Sequence, residues 1–389
     1  MPGAAVGSRR GDAASSEGSV QSVPVPGDAP ALYRSASPWR ELPAVACRDM
    51  PPPWHRELVG RIDEHVINSA ALRDNPLGDP SQRPLWVYVP PGYDEDDRRY
   101  PSIYVIQGYT GHIQMWWNRS PFRVPYPEAV DALFASGQAP PCIVVFVDAW
   151  TAYGGSQYVD SPGTGRYHTY LCDEVVSYVD GRYRTMDDAR HRGIQGKSSG
   201  GFGAMITPML RPDLFGALAT HAGDALYELC YLPEFGPAAR LLRSWEASIE
   251  AWWGDFCNRV PFTDPADATL LGLYGVAACF SPDDAGRPQL PFDPLTGRPR
   301  EDVWERWLAW DPVRMVRRHA EALRGLRAIW VDAGRSDEYF LDLGAQAFVG
   351  ELASIGVTDV HFELFDATHM AIEYRYPSSL AFLAEQLSG

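Results

Sequence analysis

The chain has 389 residues, 45% of them hydrophobic and 22% charged, enough apolar material to bury the core of one large α/β domain or two ordinary ones. Fifty acids against 34 bases give a net charge of −16, which repels phosphate backbones and anionic lipid and argues against nucleic-acid or membrane-surface binding. No stretch reaches the roughly 18 to 20 apolar residues of a membrane span, and residues 1–22 hold no apolar run of signal-peptide length, so a soluble, cytoplasmic protein is expected.

Residues 1–30 mix Gly, Ser, Ala, Pro and Val without a period and read as a disordered tail. Residues 31–59 read as an arm laid on the domain, and residues 60–389 as the domain itself. Gly60 to Ser69 and Arg83 to Val89 predict strands. Then come six short apolar runs. They are Ile103 to Gln107, Cys142 to Val147, Gly193 to Gln195, Leu218 to His221, Ala328 to Val331, and Val360 to Leu364. Runs without polar alternation fit strands covered on both faces, as in a parallel sheet. Helical patterns lie between them, over Pro127 to Ala135, Tyr170 to Val179, Ser199 to Leu210, Phe348 to Ile355, and Ser378 to Leu387. Strand and helix in alternation predict an α/β fold with a doubly wound, mostly parallel sheet and right-handed crossovers. Ligands of such sheets gather at the C-terminal ends of the strands.

One stretch breaks the rhythm. Residues 231–311 show no clear strand and are dense in Trp, Phe, Tyr and Pro. They predict an aromatic-rich insertion over the strand ends, helical over Ala238 to Trp253 and Asp302 to Trp310, with an exposed loop over Pro282 to Pro299. The six cysteines, Cys47, Cys142, Cys172, Cys230, Cys257 and Cys279, form no CxxC pair and are expected as buried reduced thiols. No histidine or cysteine pair has metal-ligand spacing.

The chemistry concentrates at Gly196-Lys197-Ser198-Ser199-Gly200. This G-x-S-x-G follows a short strand and opens a helix, the strand–turn–helix of a nucleophile elbow rather than a Gly-rich helix start with a Ser cap. A serine hydroxyl at neutral pH needs a base, and His369 sits in the loop directly after the last strand, where an α/β-hydrolase keeps it. The base needs an acid to fix its tautomer. Asp337, past the turn at Gly334, is the expected acid. Asp332 at the strand tip is the alternative and Glu338 a weaker one. The order Ser198, Asp337, His369 is that of this fold. An oxyanion hole needs two backbone donors. Ser199 is expected to give one and Tyr109, in Gln107-Gly-Tyr-Thr-Gly111, the other, with Thr110 as the alternative. Only one of the 34 bases is a lysine, Lys197, beside the nucleophile.

At these residues the sequence resembles the putative-esterase family of α/β-hydrolases, which includes esterase D, enterochelin-esterase-like enzymes, feruloyl esterases and mycolyltransferases. The matching features are Val87 to Tyr93, the strand into Gly108, Gly154 to Tyr158 with Gly165 to Tyr167, the helix Glu174 to Tyr183, Gly196 to Ala204, Gly334 to Leu341, and His369. The resemblance implies the triad Ser198, Asp337 and His369, no metal and no cofactor, and leaves room for a homodimer. Two departures touch acyl specificity: Gln107 stands where the family usually has His, and Lys197 where it often has His or Leu.

The resulting expectation is a serine esterase acting on a small-molecule ester. An S-formylglutathione-type thioesterase and an acyltransferase are the enzymatic alternatives, and a non-catalytic binding protein on the same fold is the alternative of another class. Thr110, Trp116, Trp150, Lys197, His221 and Tyr231 are the expected substrate-binding residues. Aromatic rings of the insertion, foremost those from Tyr231 to Phe256, are expected to line the acyl or alcohol pocket, faced by Tyr109, Trp116 and Trp150.

Overall fold

A computed structural model describes residues 56–119 and 123–389; the expected tail and all but the last residues of the arm lie outside them. Eight strands form one sheet: β1 (Arg61–Asn68), β2 (Gln82–Val89), β3 (Ser102–Ile106), β4 (Ile143–Val147), β7 (Arg192–Lys197), β8 (Ala217–His221), β9 (Ala328–Gly334) and β10 (His361–Phe365). A two-residue ladder, β5 (Asp160–Ser161) with β6 (Gly165–Arg166), stands apart. The order across the main sheet is β1-β2-β4-β3-β7-β8-β9-β10. β1 and β2 run antiparallel to their neighbours and the other six strands are parallel.

The unalternating runs have the predicted cause. β3, β4, β7, β8 and β9 are buried along their whole length because both faces of the sheet are covered. On one face, α1 (Tyr126–Ala135) packs with the C-terminal helix Tyr376–Ser388 against Trp86, Val144, Phe146 and Trp330. On the other lie the helical segment 167–180, α2 (Ser199–Leu210) and α7 (Leu341–Ser354). The stripe Leu171, Val175, Val176 and Val179 is buried as predicted, although its first half, Tyr170–Val175, is wound as a π-helix.

The strands run further than the apolar letters. β9 continues through Asp332 to Gly334 because β10 pairs with it up to Gly334 and Phe365. Asp332 is therefore inside a strand and not at its tip.

The stretch 231–311 contains no strand of the sheet, as expected, but its helices differ from the prediction outside the one expected over 302–310. They are α3 (Phe235–Leu241), α4 (Ile249–Asn258), α5 (Asp267–Phe280) and α6 (Glu301–Leu308). The continuous helix expected over 238–253 is broken where Glu246 and Ala247 turn left-handed, at φ 55° and 60°. The 282–299 loop is not wholly exposed: Leu290 and Phe292 are buried, and Phe292 is stacked on Phe235. Among the described cysteines, Cys142, Cys172, Cys230 and Cys279 are free and buried, whereas Cys257, on the outer side of α4, is exposed. No helix among the described residues is long and apolar enough to cross a membrane.

Candidate active site

β7 ends in the sharp turn that the glycines at 196 and 200 allow. Ser198 sits there at φ 58° and ψ −126°, a conformation that costs a non-glycine residue on the order of 1–3 kcal/mol and recurs at functional sites. Its N–H is held by the carbonyls of His221 and Ala222, and its own carbonyl receives the N–H of Phe202. Side chains have no room beside it. A Cβ on Gly196 would lie 2.4 Å from the Gly200 carbonyl oxygen, and one on Gly200 would lie 2.6 Å from that of Ile106. The G-x-S-x-G spacing is thus a packing requirement between the elbow and the end of β3.

His369 lies in the loop after β10. Its Nε2 is 3.1 Å from Ser198 Oγ and its Nδ1 is 2.9 Å from Asp337 Oδ2. The ring is buried, and its backbone N–H donates to Glu338 Oε2 at 2.8 Å. Asp337 is buried in the loop after β9 and also accepts the N–H of Tyr339. Glu338 therefore holds the histidine loop by its backbone and leaves the ring to Asp337.

The alternative acid is committed elsewhere. Asp332 accepts from His221 Nδ1 at 2.6 Å, from Trp330 Nε1 at 2.9 Å and from Arg375 Nε at 3.0 Å. Burial works against its charge, but His221 and Arg375 outweigh that and hold its carboxyl below the usual range. His221 Nε2 meets Ser379 Oγ at 2.8 Å, so both ring nitrogens are occupied and the ring is 1% exposed. The expectation that His221 lines the site is corrected: it belongs to a buried polar group between β8, β9 and the C-terminal helix.

The loop after β3 packs on the elbow, with a Cβ on Gly108 falling 3.1 Å from the Lys197 carbonyl oxygen. Two of its amides are engaged. Thr110 N–H donates to the Gly154 carbonyl at 2.9 Å and Gly111 N–H to that of Gly108 at 3.0 Å. No described residue accepts from the N–H of Tyr109. The Tyr109 side chain runs into the insertion. Its hydroxyl shares one proton between the carbonyls of Tyr153 and, from α5, Leu271, and its ring packs on Gly154 and Gly155. Thr110 itself is exposed.

Four further predicted positions divide. Trp116 is 3% exposed and packed among Tyr126, Phe146 and Tyr376 in the apolar layer behind the sheet, so it is core rather than pocket wall. Trp150 is half-buried, its carbonyl bound by Arg83 and the Tyr167 hydroxyl. Lys197 extends toward Glu373 in the turn that follows His369, with Nζ 3.5 Å from Oε1. Tyr231 reaches the elbow: its hydroxyl donates to Asp224 Oδ2 at 2.8 Å, and Ser199 Oγ lies 3.3 Å from the same oxygen. Asp224, just past the end of β8, had no motif to mark it. Of the insertion's other rings, Phe235, Trp304 and Trp307 are buried against one another and Trp252 against Phe256, all as core, and Trp253 is half-buried beside Tyr153 and Tyr274.

The sheet order and the elbow define an α/β-hydrolase. Residues 80–356 match the family model described as Putative esterase, and the chain belongs to that family. It is 27% identical over 157 residues to an endo-1,4-beta-xylanase/feruloyl esterase of Xylanibacter ruminicola, covering 38% of this chain and 20% of that protein. It is 27% identical over 144 residues to the iron(III) enterobactin esterase of Dickeya dadantii, covering 37% of this chain and 30% of that protein. The match thus spans less than a third of either relative. Among solved structures, a ferulic acid esterase is similar at TM-score 0.55 and 20% identity over 86% of this chain and 100% of that one. A fluorophosphonate-binding serine hydrolase F of Staphylococcus aureus is similar at 0.52 and 11%, over 84% and 98%. These likenesses establish the shared fold.

Proposed function

We propose that this chain is a serine carboxylic-ester hydrolase that acts on a small-molecule ester through an acyl-enzyme. The single observation that supports it most is the position of the His369 ring, with one nitrogen on Ser198 Oγ and the other on Asp337. In this reading Ser198 Oγ attacks the ester carbonyl while His369 Nε2 takes its proton. The backbone N–H groups of Tyr109 and Ser199 receive the oxyanion; that Thr110 N–H is already engaged favours Tyr109. As the C–O bond to the alcohol breaks, His369 returns the proton to the leaving oxygen. Water then attacks the acyl carbonyl, giving a proton to Nε2, and Ser198 leaves as the hydroxyl. Asp337 keeps Nδ1 protonated and stabilises the imidazolium throughout.

A fluorophosphonate probe read by intact mass tests this. One adduct on the wild-type chain and none on Ser198→Ala is expected, with kcat on p-nitrophenyl acetate falling at least about a thousandfold in the variant. A folded wild-type protein that takes no label and turns over no ester would leave a binding protein on this fold.

A further inference from the structure

We infer that Asp224 and Gln157 form a cation subsite beside the nucleophile, and that the preferred ester carries a protonated amine. The inference rests on the esterase reading and adds the chemistry of its substrate.

Asp224 is buried, and three donors converge on its Oδ2: the hydroxyls of Tyr231 and Ser199, and Gln157 Nε2 at 3.4 Å. None of the described residues donates to Oδ1. Its backbone N–H reaches the Ser198 carbonyl at 3.4 Å, which places it directly behind the elbow. Gln157 is 1% exposed and its amide oxygen, Oε1, is buried without a partner. Gln157 and Tyr158 both stand at positive φ, 50° and 55°, so a strained backbone presents this amide. Two acceptor oxygens, one on a carboxylate, are thus left without a donor among the described residues in the layer packed against the elbow.

Comparison with the other buried carboxylates shows what is missing. Asp148, Asp267, Asp332, Asp337 and Glu128 each face an arginine or histidine. Asp79, Asp131 and Asp311 accept backbone N–H groups. Asp224 has neither among the described residues. A buried carboxylate is stable when a cation or several fixed donors face it, and one held by neutral side chains on a single oxygen is under-compensated. Burial accordingly pushes its carboxyl up, opposed by Tyr231, by the nearby His369 and by Gln157 and Ser199. A substrate hydroxyl supplies one donor and no charge. A primary ammonium supplies the missing charge and enough donors for both Oδ1 and Oε1.

The test compares esters that differ only in the cation. On the acyl side the pair is β-alanine methyl ester and methyl butyrate, and on the alcohol side 4-aminobutyl butyrate and pentyl butyrate, followed by pH-stat near neutrality. The ammonium member of at least one pair is expected to have a kcat/KM about tenfold or more above its neutral isostere, and Asp224→Asn is expected to bring that ratio close to one. Calorimetric binding of n-butylammonium, weakened about tenfold in Asp224→Asn, reads the subsite without turnover. Loss of fluorophosphonate labelling with butylammonium still bound would fail the esterase reading and keep the subsite. Equal rates within both pairs in the wild-type enzyme, or a ratio that Asp224→Asn does not change, would overturn the cation subsite with the esterase intact.

Discussion

Asp332 and Asp337, one inside β9 and one in the loop that follows, each bind the Nδ1 of a different histidine: Asp332 that of His221, Asp337 that of His369. The two carboxylates look alike in sequence and have separate duties. Asp337→Asn is expected to lower kcat by about a thousandfold to ten-thousandfold, because an amide stabilises the wrong tautomer of His369. Asp332→Asn is expected to act on stability instead, since it leaves Arg375 and His221 buried with a weaker partner, a loss of about 3–5 kcal/mol for such a broken pair. Steady-state kinetics and thermal melts of the two variants check this, and a reversed order would move the acid to the strand.

Gly200→Ala is expected to lower both the melting temperature and the fraction of protein that takes a fluorophosphonate. Its new Cβ would lie 2.6 Å and 2.7 Å from the carbonyl oxygens of Ile106 and Gln107, so the elbow and the end of β3 must part. Overpacking of this kind costs about 1–3 kcal/mol or more when backbone has to move. A variant that labels and melts like wild type would show that the turn has slack that these distances deny.

Tyr109→Phe removes the hydroxyl that joins the loop after β3 to Tyr153 and to α5. The two carbonyls that share its one proton lose it, and the loop loses its tie to the insertion. If that loop positions an oxyanion donor, kcat should fall about tenfold or more with a smaller change in KM, while Ser198 still reacts with a fluorophosphonate. A change in KM alone would assign the loop to substrate binding.

His361 gives a pH signature of stability. Burial, aided by Arg375 and His221 and opposed by Asp332, lowers its pKa from about 6.5 to about 4. Between those values the unfolded chain binds a proton that the folded chain refuses, so stability falls as pH drops from about 6.5 toward 4. His361→Phe keeps a ring against Trp330 and should flatten that part of the stability curve. Denaturant midpoints across this range, for both proteins, measure it. Parallel curves would remove His361 from the account.

Much of this was legible in the letters. The apolar runs at 103–107 and 142–147 became strands because burial on both faces leaves no alternation to read. The glycines at 196 and 200 announced the elbow because the clash they avoid is local. What failed depended on partners far along the chain. Asp332 read as a strand tip because only pairing with β10 carries the strand on to Gly334. The helix α5 carries no readable period because it is apolar on nearly every side, and a fully buried helix has no stripe. Trp116 and His221 lie near the right loops, but which side of the sheet a ring takes was not in the spacing. Asp224 lacked any motif, although its place just past β8, beside the elbow, was a usable signal.

Lys197 lends the chain an uncommon chemical address. It holds the one lysine ammonium in 389 residues, on a side chain that is 11% exposed and reaches toward Glu373. Proteases that cut after lysine, and reagents that modify a lysine side chain, find no second lysine in the sequence. Acylation of a lysine side chain, or cleavage after a lysine, can therefore occur at one place only, one residue before the proposed nucleophile.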